Sequence, residues 1–251
     1  MIYDLQKASL SKRLSAYLFD VIVFLVLVTG IAFLLSWITG YDARLDELEA
    51  HYVRYENEYG IDFNEVVDYE ALPEDVKAKY DAANEAFSSD EAVAKSFSLV
   101  VNLTLVIVSL GLLVGYLILE FAIPLILKNG QTLGKKIFGI ALMRDDSVKV
   151  SPVMMFVRTV IGKYTIETMA PIFLLLFFAM NMDFISLAVI LLLFVFEIVL
   201  FCRTKTRSFI HDILAYTVAV DMQSQMIFDT KEEMLEYKNR IHAEAANNQP
   251  Y

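Results

Sequence analysis

The residues from Leu14 to Ile38 read LSAYLFDVIVFLVLVTGIAFLLSWI. Apart from Asp20, only small or weakly polar residues interrupt this apolar run. About 20 apolar residues cross a bilayer, so the run is long enough for one spanning helix. A carboxylate inside such a helix costs about 2.5–3.5 kcal/mol on insertion scales. Asp20 is therefore read as a working group or as one member of an internal ion pair. Arg13 lies two helical turns toward the N-terminus on nearly the same face, about 10 Å away along the axis. The run is too long for a cleavable signal peptide, and no small-residue cleavage site follows it.

Three further runs extend the pattern: Phe97 to Leu127, Thr165 to Met180 and Phe184 to Cys202. The chain is 57% hydrophobic, above the roughly half expected of a soluble domain. Four crossings are expected. The third run is short unless it borrows from the segment before it, so 152–180 reads either as one tilted span or as an interfacial helix followed by a short span. The fold class expected is all-α: a polytopic membrane helix bundle with a helical extracytoplasmic loop and a small cytoplasmic hairpin. Its segments are 1–38, 39–96, 97–221 and 222–251.

Charge sets the orientation. Lys7, Lys12 and Arg13 precede the first run, and Arg203, Lys205 and Arg207 follow the fourth. Lys128, Lys135, Lys136, Arg144, Lys149, Arg158 and Lys163 lie between the second and third runs. Between Thr39 and Ser96 stand sixteen acids and five bases. Short basic loops stay cytoplasmic. Both termini are then expected inside a bacterial plasma membrane, with the acidic loop outside. The net charge of −10 arises in that loop and argues against nucleic-acid binding, which needs a basic stripe. A single cysteine, Cys202, excludes an internal disulfide and offers no metal spacing.

In the acidic loop, Leu45, Leu48, Tyr52, Tyr55 and Tyr59 recur at helical spacing, and Gly60 suits a helix end. Pro73 opens a second helix with Glu74 and Asp75 in its first turn, where they suit the dipole. The pair is expected to pack as a hairpin. The acids read as a solvated surface; a cation site is the sharper alternative, although no calcium-loop spacing is present.

The basic loop contains Gly130-Gln131-Thr132-Leu133-Gly134-Lys135-Lys136. A phosphate-binding P-loop needs four residues between its glycines and Ser or Thr after its Lys. Three residues separate Gly130 from Gly134, and Lys136 follows Lys135, so this is not one. Apolar runs at 137–143 and 148–150 around a polar turn read as a hairpin. After the fourth run comes His211-Asp212-Ile213-Leu214-Ala215-Tyr216-Thr217, which read alone is a helix-terminal polar pair.

Taken together, the words from Arg13 to Asp20, Gly130 to Lys136 and His211 to Thr217 resemble the RDD family of bacterial membrane proteins, and they stand in the family's order. The resemblance implies that Arg13, Asp20 and Asp212 are the family's arginine and two aspartates. It implies cation–proton exchange as a candidate activity. Tyr216 departs from the family motif, which tends to have Gly there.

The polar cluster expected to carry function is Arg13, Asp20, Glu120, Glu197, His211 and Asp212. The cytoplasmic motif is Gln131, Thr132, Gly134, Lys135 and Lys136. Asp20 is expected to take a base from another segment, and Asp212 to pair with Arg13. Asp20, Glu120 and Glu197 are expected at similar depth with too few buried bases to neutralise them. One reading is a small transporter of protons and monovalent cations, working as an oligomer. The other is a membrane interaction module in which these groups form a structural clasp, its outer hairpin or cytoplasmic tail facing a protein partner. Gly111 and Gly115 form a small-residue pair suited to close helix approach, and Asn102 is expected to bond between helices. No nucleophile with a placed base, cofactor loop or metal cluster is present, so no enzyme, cofactor or metal is expected.

Overall fold

A computed structural model describes residues 5–64, 69–181 and 184–247. Four helices are long and apolar enough to cross a membrane: α1 (Leu10–Thr39), α4 (Glu91–Ile126), α6 (Pro152–Met180) and α7 (Phe184–Arg203). Their apolar side chains point largely outward; Phe33 is 74% exposed and Leu192 68%. Such surfaces require an apolar solvent. The chain is an all-α polytopic membrane protein, and its contacts divide it into two units. One takes residues up to Val28 and from Leu112 onward, and the other is Thr29–Gly111.

The second unit holds the acidic hairpin, α2 (Tyr41–Tyr59) and α3 (Glu74–Ser89). Gly60 closes α2 with φ 65°, and its N–H donates to the Glu56 carbonyl at 2.8 Å. A side chain resists this left-handed conformation, so glycine is the residue that ends the helix there. Tyr52, Tyr55 and Phe63 gather around Phe87 with ring centroids 4.6–5.9 Å apart. The expected hairpin therefore forms on the expected faces. Arg54 donates to Asp90 at 2.5 Å and the Tyr55 hydroxyl donates at 2.9 Å. Those bonds lower the Asp90 carboxyl to about 2. Asn102 bonds to Ser98 one turn back in its own helix, at 3.3 Å. This corrects its expected interhelical role: the nearer hydroxyl satisfies the amide locally.

In the first unit, α5 (Leu133–Ile137) leads into β1 (Ile140–Arg144). After α7 come α8 (Ile210–Leu214), β2 (Thr217–Asp221) and α9 (Lys231–Asn247). The turn at 145–147 closes, with the Arg144 N–H on the Val148 carbonyl and a single bridge between Met143 and Lys149. The full partner of β1 is nevertheless the distant β2, antiparallel in the register Ile140↔Asp221 to Arg144↔Thr217. That pairing buries Ala141, Met143, Val218 and Val220 on one apolar core, which a local hairpin cannot enclose. Tyr216 enters β2 with φ 51°, so the turn whose family motif favours Gly does adopt the left-handed region. Helix α9 is docked on its own chain, through Phe228, Met234 and Tyr237 against Val148.

The stretch 152–180 is one helix. Ser151 caps it by accepting the Met154 N–H, and Pro152 begins it. Both α4 and α6 widen to π geometry, at Leu117–Ala122 and Val157–Met169. These widened turns carry the interior charges Glu120, Arg158, Lys163 and Glu167. Such bulges recur at functional sites because they re-aim side chains within a helix. Gly115 faces α1, where an added Cβ would lie 2.6 Å from Val28 and 3.1 Å from Phe24. Gly115 thus serves internal packing.

Candidate functional site

Arg158 is the centre of the site, although by sequence it is only one of the bases flanking the third span. It is 2% exposed. Its Nε donates to Asp212 Oδ1 at 3.0 Å, and its Nη1 lies 3.3 Å from Glu120 Oε2. Lys163, five residues along the widened α6, reaches Glu120 Oε1 at 2.5 Å. Lys135 stands 3.9 Å from Glu120. Thr159 completes the attachment of α6 to α4 by donating to the Glu120 backbone carbonyl at 2.9 Å. Glu120 therefore faces three bases. The expected shortage of buried bases does not hold at Glu120, because the helix entering the third span supplies Arg158 and Lys163. A buried pair survives only when its charges are matched and its remaining lone pairs are bonded.

Asp212 pairs with Arg158, not with Arg13. Thr217 also donates to it, at 3.0 Å. Burial works against its carboxylate, but the His211 and Arg158 charges and the hydrogen bonds from Arg158 and Thr217 hold it well below the usual range. Arg13 instead binds backbone. Its guanidinium donates to the carbonyls of Arg207 at 2.8 Å and Ala219 at 2.5 Å. It thus ties α1 to the chain on either side of α8, at the loop carbonyl of Arg207 and the β2 carbonyl of Ala219.

Asp20 takes no base. Its oxygens accept the Thr132 hydroxyl at 2.5 Å and the Gly134 N–H at 2.7 Å. This explains the cytoplasmic motif. Thr132 caps α5 by accepting the Lys135 N–H at 3.3 Å while donating to Asp20. Gly134 cannot carry a side chain, because an added Cβ would meet the Ala16 carbonyl and the Asp20 carboxyl. Gln131 holds the turn by donating to the Ile140 carbonyl at 2.7 Å. The helix dipole adds to this anchoring, with a carboxylate at an α5 N-terminus. Lys135 is drawn inward toward Glu120, whereas Lys136 faces outward. Burial, with Lys163 and Arg158 close by, pushes Lys135 down to about 8 against the pull of Glu120 and Asp20.

His211 connects Asp212 to another residue the sequence reading passed over, Glu167. Both the backbone N–H and ring Nδ1 of His211 lie 2.8 Å from Glu167 oxygens, while Nε2 is 3.5 Å from Asp212. Burial lowers the imidazole pKa against the attraction of Asp212 and Glu167, with Arg158 adding to the lowering. The 2.8 Å contact makes Nδ1 the ring nitrogen that donates to Glu167. Gly162 makes the approach possible; a Cβ there would lie 2.5 Å from the His211 Cβ. Glu197 interacts with Glu167 across the same space, and its Oε1 is buried with no hydrogen-bond partner.

These groups enclose a cavity of about 430 Å³. Its apolar wall includes Leu14, Tyr17, Phe201 and Phe209, and its polar wall is the network just described. All six residues of the expected polar cluster line it, as do Lys135, Arg158, Lys163 and Glu167. The added residues carried a signal: charges five and four apart on a helix running into an apolar span are costly unless they face inward. Among the described residues, no group of three or more His, Cys, Asp or Glu is placed to hold a metal ion.

A model of the RDD family matches residues 7–216. No curated protein and no solved structure matches the chain.

Proposed function

The chain belongs to the RDD family, and from that premise we propose that it exchanges protons for cations at the bundle cavity. The observation that carries this reading is the charge balance of the cavity wall. Arg13, Lys135, Arg158 and Lys163 face Asp20, Glu120, Glu167, Glu197 and Asp212. Four permanent bases meet five carboxylates, so one carboxylate depends on His211, a proton or a cation for its balance. The bases serve Glu120, Asp212 and backbone carbonyls, and Asp20 takes two neutral donors, so Glu167 and Glu197 are the pair left without a permanent base or such a cap. An uncompensated charge in low dielectric is strongly unfavourable. Either a proton or a cation relieves it, and competition between the two is the physical basis of an exchanger. Four spans are few for a complete pathway, so this reading favours an oligomer. It gives no residue a bond-making role.

The test is proton movement in liposomes holding only the purified protein, driven in turn by a sodium gradient and by a gradient of an organic ammonium ion. Wild type is expected to move protons above the level of empty vesicles, and Glu197→Gln to lose at least about tenfold, the rate equivalent of 1.4 kcal/mol. Absence of wild-type flux removes the exchange reading. The completeness of the Arg158 pairings then favours a membrane interaction module built on the same clasp.

The proposed setting is a bacterial plasma membrane with both termini inside, supported by the basic flanks of the spans. With Cys202 first replaced by Ser, a cysteine at Glu58 should react with an impermeant maleimide on intact cells. One at Asn239 should react only after lysis. Labelling of the Asn239 position on intact cells would reverse the orientation.

A further inference from the structure

We infer that the cavity binds a protonated amine carrying a compact apolar body, the ammonium against Glu197 and the body against Tyr17, Phe201 and Phe209. The inference deepens the exchange reading by naming the class of cation, and it takes from that reading the unmatched carboxylate.

Three observations select this ligand. The first is polarity. Lys163, Arg158 and Lys135 are occupied by Glu120, Arg158 also by Asp212, and Arg13 by backbone carbonyls. An anion would have to break these pairs, whereas a cation meets Glu197 Oε1, a buried carboxylate oxygen without a donor among the described residues. A single N–H from an ammonium satisfies it, and charge-assisted bonds of this kind are the strong ones.

The second is the absence of a metal-binding arrangement. No group of three or more ligating side chains converges among the described residues. A divalent cation would surrender its water without gaining a cage of carboxylates. An ammonium brings its own N–H groups and needs fewer protein oxygens.

The third is the wall opposite the charges. Phe201 and Phe209 stack with centroids 5.0 Å apart, and Phe209 stacks on the His211 ring at 5.9 Å. Tyr17 faces the same cavity. Aromatic faces attract a cation within about 6 Å of the ring, and they bury an apolar body that a hydrated ion lacks. Ligand cavities commonly combine apolar walls with a few converging polar groups.

The probe is 1-adamantylamine, a rigid cage with one ammonium. Its neutral and anionic relatives, 1-adamantanol and adamantane-1-carboxylate, share the cage. Equilibrium dialysis against protein-loaded lipid nanodiscs, corrected by empty ones, measures binding without any flux. The amine is expected to bind at least about tenfold tighter than the alcohol, and the carboxylate more weakly than either. Glu197→Gln, checked for an unchanged melting curve, should remove the preference for the amine and leave alcohol binding unchanged. Equal binding of amine and alcohol, preference for the carboxylate, or no binding above empty nanodiscs each overturns the inference. The wild-type comparison decides this even if the variant does not fold. Amine binding without flux would remove the exchange reading and keep the site; sodium-driven flux without amine binding would do the reverse.

Discussion

Replacing Arg158 with Met is expected to destabilise the protein by about 3–5 kcal/mol, the cost of stranding a buried partner charge. Arg158 is the base that Asp212 holds by a direct hydrogen bond, at 3.0 Å. Without it, Asp212 keeps the Thr217 hydroxyl and the more distant His211 ring. Glu120 is less exposed to the loss, because Lys163 remains at 2.5 Å and Lys135 at 3.9 Å. The same reasoning makes Lys163→Met milder, since Arg158 still serves Glu120. Removing both charges with Arg158→Met and Asp212→Asn should recover part of the loss, with a coupling of about 0.5–3 kcal/mol. Unfolding in mixed micelles measures all five proteins: wild type, Arg158→Met, Lys163→Met, Asp212→Asn and the double variant. A Lys163→Met loss equal to that of Arg158→Met, or strict additivity of the double change, would show that the clasp is not centred on Arg158.

The spans, the acidic hairpin and the family words were legible because each is written in local sequence. Apolar run length marks α1, α4 and α7, and a three-and-four spacing ending at Gly60 marks α2. The pairings of the charges were not legible. Asp212 and Arg158 are 54 positions apart, and Asp20 and Gly134 are 114 apart. Sequence reading matched groups by their expected depth at the inner boundary, which gave Arg13 to Asp212. It also assumed that a membrane carboxylate wants a base. Asp20 shows another solution, in which a cap hydroxyl and a helix N-terminal N–H take the charge. The π geometry of α4 and α6 was equally hidden, because no residue type marks it. Yet it decides which side chains of those helices face the cavity. The partner of β1 was missed for a related reason: the nearby turn at 145–147 is real, but the core is completed by a strand some 70 residues later in sequence.

Gly134→Ala is expected to be the most damaging methyl addition in the chain. The new Cβ would meet the Ala16 carbonyl, with the Asp20 carboxyl 2.9 Å away. Overpacking costs about 1–3 kcal/mol, occasionally more, when neighbours must move. Here the nearest atom is backbone of α1, so a change of rotamer cannot relieve it. Displacing α5 also weakens the bond from the Gly134 N–H to Asp20, and hydrogen bonds to charged groups contribute about 1.5–3 kcal/mol. The combined loss should exceed about 3 kcal/mol in the same unfolding assay. Gly30→Ala is the internal control: it lies within α1 with nothing within 4 Å of an added Cβ. It should be neutral or gain about 0.5–1 kcal/mol from helix entropy. Adding Asp20→Ala to Gly134→Ala separates two causes. If Asp20 were the obstruction, the smaller side chain would restore stability. With the Ala16 carbonyl as the obstruction, the double variant stays at least as unstable as Gly134→Ala, because the Thr132 and Gly134 donors have also lost their acceptor. Wild-type stability in Gly134→Ala would mean that α5 is not docked on α1, and the role assigned to Asp20 would fall with it.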